Sequence, residues 1–253
     1  MSDPPRPSYP LAVRAAHALN IAAFTLLAMS GMQIFNAHPR LYAADWSDPA
    51  RTVLTLPGPD GAGGNRMVLL GLDVPTGPVS MPYLPSAVTL GGWLGGARRV
   101  HFTAAWLFVT NGCLYLAGML AARRRRAVWP TPADLRALGP SIRDHLRWPP
   151  VLHGPGGSLN PMQKVGYFAV PALLAPAIVA TGLALSPTWD ALVPWWTDVL
   201  GGRQMARTLH FAAMLLFFLF ITAHVALVIV SGPRTWVRMI TGEVEEAHDE
   251  PRS

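Results

Sequence analysis

Cysteine and lysine are almost absent from this sequence, since each occurs once among 253 residues, as Cys113 and Lys164. A single cysteine excludes an internal disulfide, a Cys-ligated iron–sulfur cluster and a zinc site built from several thiolates. Cys113 lies within an apolar run, so we expect a small buried hydrophobic residue. Charge is also scarce, because 13% of the residues are charged and 51% are hydrophobic. Soluble domains carry roughly 25% charged residues, so the composition predicts a membrane protein.

Acidic residues are missing from four long apolar runs, at about 13–36, 100–122, 165–186 and 206–231. Each run has about the 20 residues that a helix needs to cross a bilayer. The first run exceeds the roughly 7–15-residue apolar core of a signal peptide, so we interpret it as a retained helix. The sequence therefore predicts an all-α integral membrane protein, a four-helix bundle that forms one domain over residues 1–253.

A long connection rich in glycine and proline, residues 37–97, separates the first two runs. Loops of this length are usually functional or disordered, so we expect a cap or docking surface outside the membrane. Within it, the stretches Thr52–Leu56 and Met67–Leu72 favour a short hairpin. Between the second and third runs, Pro132–Leu146 predicts a short amphipathic helix.

The basic residues are distributed unevenly between the two sides that four spans define. The side with both termini and the 123–164 loop, including Arg123–Arg126, carries 13 of the 20 Lys and Arg residues, and the other side carries 7. Because cytoplasmic loops carry an excess of Lys and Arg, we expect a multi-pass protein of the bacterial inner membrane with both termini cytoplasmic and the 37–97 loop periplasmic. Loops that face anionic lipid explain the net charge of +6. No basic–aromatic stripe indicates a nucleic-acid partner.

Two histidines, His210 and His224, interrupt the fourth run. On a helix, their 14-residue separation places them about 21 Å apart on nearly the same face. His17 begins the first run and His101 begins the second. The predicted topology places His101 and His210 at one depth in the outer leaflet, and His17 and His224 at one depth in the inner leaflet. Two pairs at two depths are what bis-histidine ligation of two b-type haems requires, so we predict that all four histidines bind haem iron.

Each histidine alone has a simpler explanation, because an imidazole in a membrane helix also satisfies a carbonyl of a neighbouring helix. The competing function is a haem-free membrane anchor, or a small-solute or proton transporter with a histidine relay. Such relays usually include intramembrane Asp or Glu, and the four runs contain none. Zinc or copper would favour ligands clustered at one depth rather than two in each leaflet.

Arginines and glycines near these histidines are further candidates for contacts with the haems. Five arginines are placed to meet haem propionates: Arg14, Arg98, Arg99, Arg203 and Arg207. Interfacial snorkelling explains each of them equally well. Four glycines would let a macrocycle lie against the backbone: Gly31, Gly112, Gly118 and Gly182. Tight packing of helices through small residues is the alternative.

The histidine pattern resembles a known family. The first and second helices each carry one histidine, the third carries none, and the fourth carries two at 14-residue spacing. This distribution is similar to that of the di-haem cytochrome b subunits of nickel–iron hydrogenases and formate dehydrogenase. The stretches SGMQIFNAHPRLY (Ser30–Tyr42) and GGRQMARTLHF (Gly201–Phe211) are more similar still to thiosulfate-reductase-like cytochrome b subunits that partner molybdopterin oxidoreductases. The resemblance covers all four spans. It implies a subunit that transfers electrons between a periplasmic, molybdopterin-containing oxidoreductase, or another redox subunit, and the membrane quinone pool.

The resemblance also implies a quinone site beside the haem of the inner leaflet. The family's N-x-x-Q-K element before the third helix matches Asn160, Gln163 and Lys164. These residues offer an amide and an ammonium to a quinone carbonyl near His224, as a quinone reductase or quinol oxidase would need. Helix-start chemistry explains the same residues, with Asn160 as the N-cap and Pro161 at the first helical position, and both roles are compatible. The longer 37–97 segment departs from the hydrogenase-type members and leaves the external partner open.

Overall fold

The computed structural model describes residues 11–60, 64–121, 129–146, 160–230, 237 and 239–242. The side chains of residues 119–121 and 145–146 are excluded from this description. The Arg123–Arg126 cluster, which contributes to the predicted topology, lies outside the described residues.

Four helices in the described part of the chain are long and apolar enough to cross a membrane. The spans are Leu11–Asn36 (α1), Leu94–Gly118 within the helix Leu94–Ala121 (α2), Pro161–Leu185, and Gly202–Val230, which is the last helix (α9). The four predicted spans are therefore confirmed as helices. The second, third and fourth spans begin earlier than predicted, because a helix continues through charged residues that lower the local hydropathy, such as Arg98, Lys164 and Arg203.

The third span is irregular. It is α-helical over Pro161–Ala169 (α5) and Ala175–Leu185 (α6), and a π-helical segment, Val170–Leu174, joins them. Pro171 lies in this segment and lacks the N–H that would continue the hydrogen-bond ladder. A π-turn is one way in which a membrane helix adjusts locally around such a proline.

The connection between α1 and α2 contains a five-stranded antiparallel sheet, of which the all-α prediction included only a short hairpin. Its strands are Arg40–Tyr42 (β1), Thr52–Thr55 (β2), Gly58–Pro59 (β3), Asn65–Leu69 (β4) and Leu72–Pro75 (β5). The order is β1-β2-β4-β3, and β5 pairs with β4. The sequence indicated strand only at Thr52–Leu56 and Met67–Leu72, because strands of two to five residues carry little periodicity.

The predicted hairpin is present in modified form. The two stretches are neighbours, because Leu54 of β2 pairs with Leu69 of β4. The tight hairpin instead joins β4 to β5 through Leu70 and Gly71, whose φ angles are 52° and 80°. Positive φ at both central residues is typical of a two-residue hairpin turn, where glycine is favoured and leucine is rare.

Short helices occupy the remaining connections: Pro132–Arg136 (α3), Leu138–Leu146 (α4), Pro187–Leu192 (α7) and Trp195–Val199 (α8). The predicted amphipathic helix over Pro132–Leu146 is thus confirmed as two helices. A reciprocal capping box between Thr131 and Asp134 begins the first of them.

Contacts divide the chain into two compact units. The sheet unit contains residues 23–110 and 168–218, and the terminal unit contains residues 1–22, 111–167 and 219–253. Each histidine pair lies within one unit.

Alanines form much of the core of the sheet unit. Ala97, Ala184 and Ala206 are completely buried, which lets helix backbones approach closely. The ring of Phe217 lies 6.1 Å from that of Phe24, centroid to centroid. The prediction for Cys113 in the terminal unit is wrong, because this residue is exposed. An apolar residue of a membrane span is compatible with lipid, so its hydrophobicity does not require burial against protein.

Candidate haem-binding sites

His101 of α2 and His210 of α9 lie together in the sheet unit. Their ring centroids are 6.2 Å apart and the ring planes meet at 68°. Two imidazoles that bind one metal ion from opposite sides, at about 2 Å each, hold their centroids roughly 6 Å apart. The spacing of this pair therefore fits two axial ligands of one haem iron.

Oxygen atoms from two other helices contact the Nδ1 atoms of this pair. Thr181 Oγ1 and the Ile178 carbonyl oxygen lie 3.0 and 3.1 Å from His210 Nδ1. A carbonyl only accepts hydrogen bonds, so Nδ1 of His210 carries the proton and Nε2 is left to bind a metal. Ser30 Oγ, on α1, lies 3.0 Å from His101 Nδ1 and permits the same tautomer there.

Two glycines make room for these imidazole rings. A Cβ atom on Gly31 would lie 3.3 Å from Cε1 of His101, and one on Gly182 would lie 3.2 Å from Cε1 of His210. Both distances are tighter than ordinary van der Waals contact, so the glycines permit the observed ring positions. A Cβ on Gly112 or Gly118 would meet no described atom within 4 Å.

His17 of α1 and His224 of α9 form the second pair, in the terminal unit. Their ring centroids are 6.4 Å apart with the planes at 48°, so the spacing again fits two ligands of one iron. Phe220 stacks on His224 at 5.9 Å, with an angle of 15° between the rings. Among the described residues, no hydrogen bond to either imidazole is present.

An asparagine pair lies beside His17. The Asn111 amide of α2 donates to the Ala16 carbonyl at 2.9 Å and to Asn20 Oδ1 at 2.8 Å. Asn111 is buried, with 6% of its surface exposed. Because Ala16 directly precedes His17, this contact holds the helical turn that carries the ligand.

The ligand set suits haem better than a zinc-type site. Within the described residues, no group of three or more His, Cys, Asp and Glu side chains could hold a metal ion. A catalytic or structural zinc site needs three or four protein ligands, whereas a haem iron takes only axial ligands from the protein. Two separate histidine pairs are therefore too few ligands for zinc at each position and enough for a haem iron.

The candidate arginines for propionate binding differ in their surroundings. Arg207 donates to the carbonyls of His38 and Arg40, at 3.2 Å in the second case, and its guanidinium lies 5.9 Å above the Phe35 ring. These contacts connect the start of α9 with His38, which precedes the sheet, and with the first residue of β1.

Arg14 and Arg203 also donate to backbone carbonyls, of Ile240 and Leu185 respectively. The Nε atom of Arg14 is buried and has no hydrogen-bond partner among the described residues. An anionic group such as a propionate would satisfy that donor. Arg98–Arg99 are exposed.

The three candidate quinone-binding residues lie together at the start of α5. The Asn160 backbone N–H donates to Gln163 Oε1 at 3.1 Å, and Asn160 Oδ1 accepts from the Met162 N–H at 3.2 Å. This is reciprocal N-capping, so the helix-start role is present. Lys164 Nζ lies 3.2 Å from the Asp134 carboxylate.

Asp134 is held in its charged form. The backbone N–H and the hydroxyl of Thr131 donate to its carboxylate, and the pKa of Asp134 therefore lies below its ordinary value of 3.8. The ammonium of Lys164 lowers this pKa further. The ion pair thus persists at neutral pH.

Sequence reasoning missed three polar residues that contact the histidines or their helical turn: Ser30, Asn111 and Thr181. Each is followed directly by a glycine inside an apolar run. A polar residue before a glycine within a membrane span was the signal that would have indicated all three.

Comparisons with known proteins identify the family of this chain. The family model described as prokaryotic cytochrome b561 matches residues 8–242. A protein of Azospira oryzae, provisionally named as protein-methionine-sulfoxide reductase subunit YedZ1, is 30% identical over 239 residues, which cover 92% of this chain and 96% of the relative. No solved structure matches the chain.

The predicted membership of a cytochrome b family is confirmed, whereas the closer likeness to thiosulfate-reductase-type subunits stays a prediction. The chain belongs to the prokaryotic cytochrome b561 family, as an integral membrane subunit that binds haem b and transfers electrons.

Proposed function

We propose that the chain binds two haems b and carries electrons across a bacterial inner membrane, between the quinone pool and a periplasmic, molybdopterin-containing oxidoreductase. The supporting observation is the presence of two separate histidine pairs with ring centroids 6.2 and 6.4 Å apart. Since each bis-histidine haem uses two ligands, four histidines in two pairs correspond to two haems.

Haem b supplies one-electron chemistry when it is bound. His101 and His210 would hold one haem through Nε2, and His17 and His224 would hold the other. The buried Nε of Arg14 would donate to a propionate of the second haem. Both pairs lie on helices that are long and apolar enough to cross a membrane.

The excess of basic residues on the side of both termini supports a cytoplasmic location for the termini and a periplasmic location for the sheet. The His101–His210 pair then exchanges electrons with the partner enzyme. A relative named as a reductase subunit favours flow toward that partner, because a reductase consumes electrons. The molybdopterin in the partner is an inference from the family resemblance.

Quinone would bind at the start of α5, where Asn160, Gln163 and Lys164 lie together. The Lys164 side chain is 23% exposed, and its ammonium would donate to a quinone carbonyl while Asp134 holds it in place at 3.2 Å. N-capping uses the side-chain oxygen of Asn160. The amide N–H groups of the same side chain would then donate to the quinone as well.

Haem stoichiometry tests this proposal. The protein purified in detergent should give a b-type reduced-minus-oxidised spectrum and two haems b per chain by the pyridine haemochrome assay. One haem per chain would refute the di-haem arrangement. The absence of any b-type signal would refute the proposal and favour a haem-free protein with a histidine relay. The spans argue against such a relay, because they contain no Asp or Glu.

A further inference from the structure

Two dipeptides on different helices make the same contacts with the His101–His210 pair. Ser30–Gly31 of α1 contacts His101, and Thr181–Gly182 of α6 contacts His210. In each case the hydroxyl lies 3.0 Å from Nδ1 of the imidazole, and the glycine lies against Cε1 of the same ring. Ser30 is 0% exposed and Thr181 is 5% exposed, so water does not replace either contact.

Each hydroxyl is oriented by its own helix. Ser30 Oγ lies 2.5 Å from the Leu26 carbonyl oxygen, and Thr181 Oγ1 lies 2.8 Å from that of Ala177, both four residues earlier. A hydroxyl has one proton, which it donates to this carbonyl. Its oxygen therefore presents a lone pair to the Nδ1–H of the histidine.

From this arrangement we infer that Ser30 and Thr181 are positioning residues that hold the Nδ1–H tautomers of His101 and His210, the latter together with the Ile178 carbonyl, and lower the reduction potential of the haem that these histidines hold. The inference rests on the proposed function, because it requires a haem between the two rings.

The physical reason is electronic as well as steric. An acceptor at Nδ1–H makes an imidazole a stronger donor to its metal through Nε2. A stronger donor stabilises ferric iron relative to ferrous iron, so the haem is harder to reduce. The imidazoles of His17 and His224 have no such hydrogen bond among the described residues, so the effect is confined to one haem.

Potentiometric titration of both haems tests the inference. The double variant Ser30→Ala/Thr181→Val should shift the reduction equilibrium of the His101–His210 haem toward the reduced form by about tenfold, or ~59 mV for a one-electron couple. The other haem should keep its potential. A repeat of the titration in a His17→Ala background, which lacks the His17–His224 haem, assigns the shifted signal because only one haem then contributes.

Three further variants separate electronic effects from structural damage. Thr181→Ser retains the hydroxyl and should keep the wild-type potential, whereas Thr181→Val alone should raise it by less than the double variant, because Ser30 still contacts His101. Thr197→Val removes a buried hydroxyl of the same unit that bonds to Asp190 rather than to a histidine, and should leave both potentials unchanged.

An unchanged potential in the double variant overturns the inference, as does an equal shift of both haems. If the double variant loses its haem, Ser30→Ala and Thr181→Val are titrated separately, and unchanged potentials in both also overturn it. These outcomes differ from a failure of the proposed function, which appears in the wild-type protein as fewer than two haems.

Discussion

The two histidine pairs have nearly the same spacing but different surroundings. In the His101–His210 pair, a hydroxyl oxygen lies 3.0 Å from the Nδ1 atom of each ring, and each ring also lies against a glycine. The His17–His224 pair has an aromatic neighbour, Phe220, and no hydrogen bond to either ring among the described residues. Its support is indirect, through Asn111 and the turn that carries His17.

This difference shows that similar ligand spacing can be reached with different degrees of constraint. Fixed Nδ1 contacts determine both the tautomer and the ring orientation of a ligand. A ligand without them depends on helix position alone. We therefore expect the His101–His210 site to be sensitive to changes within its contact shell, and the His17–His224 site to respond mainly to changes that move its helices.

The largest expected effect is the loss of a whole haem. His101→Ala and His210→Ala should each reduce the content from two haems to one and remove the same spectral component. His17→Ala and His224→Ala should each remove the other component. If His101→Ala and His210→Ala removed different components, the assignment of the pairs would be wrong.

Quinone turnover provides the next test, because only the terminal unit contains the candidate quinone residues. Lys164→Ala should lower the rate of quinone-dependent haem redox change at least tenfold while both haems remain. Asp134→Asn breaks the ion pair but keeps the ammonium, so it should lower the rate by less than Lys164→Ala does. Equal rates for wild type and Lys164→Ala in a stopped-flow assay would exclude Lys164 from the site.

Crowding one glycine should affect only the His101–His210 haem. Gly182→Ala places a Cβ 3.2 Å from His210 Cε1, and such overpacking costs about 1–3 kcal/mol. We expect partial loss of this haem on mild heating, measured from its spectral component, with the other haem retained. Gly139→Ala, where a Cβ would meet no described atom within 4 Å, should behave as wild type.

Removing Asn111 should produce the converse result. Asn111→Leu deletes two hydrogen bonds between α1 and α2, each worth about 0.6 kcal/mol within a membrane. The haem of the His17–His224 pair should dissociate at lower temperature, and the other haem should be unaffected. Equal destabilisation of both haems would show that Asn111 supports the protein as a whole.

The smallest effect concerns pH. The folded-state pKa of Asp134 lies below 3.8, so its stabilising contribution is fully present above that pH and is lost as the pH falls through the lower folded value. The melting temperature of wild type should therefore exceed that of Asp134→Asn at neutral pH, and the difference should shrink at about pH 3. A difference independent of pH would indicate that the carboxylate charge is unimportant.

Hydropathy and helix periodicity predicted the spans and grouped the histidines by depth. They predicted only a hairpin of the five-stranded sheet, because short strands such as Gly58–Pro59 depend on pairing with other strands. They also misassigned Cys113, because hydropathy does not distinguish a lipid-facing side chain from one in the protein core. For Asn160, the sequence allowed both helix capping and quinone binding, and the structure shows the first while leaving the second to experiment.

The sequence by itself determined how many segments can cross the membrane and which histidines share a depth, because both follow from local composition and helix rise. Tertiary structure decided what each imidazole contacts. Ser30 lies 71 residues from His101 and Thr181 lies 29 residues from His210. Such contacts depend on how neighbouring helices rotate and cross, and those variables are set by packing between helices rather than by the residues of any one helix.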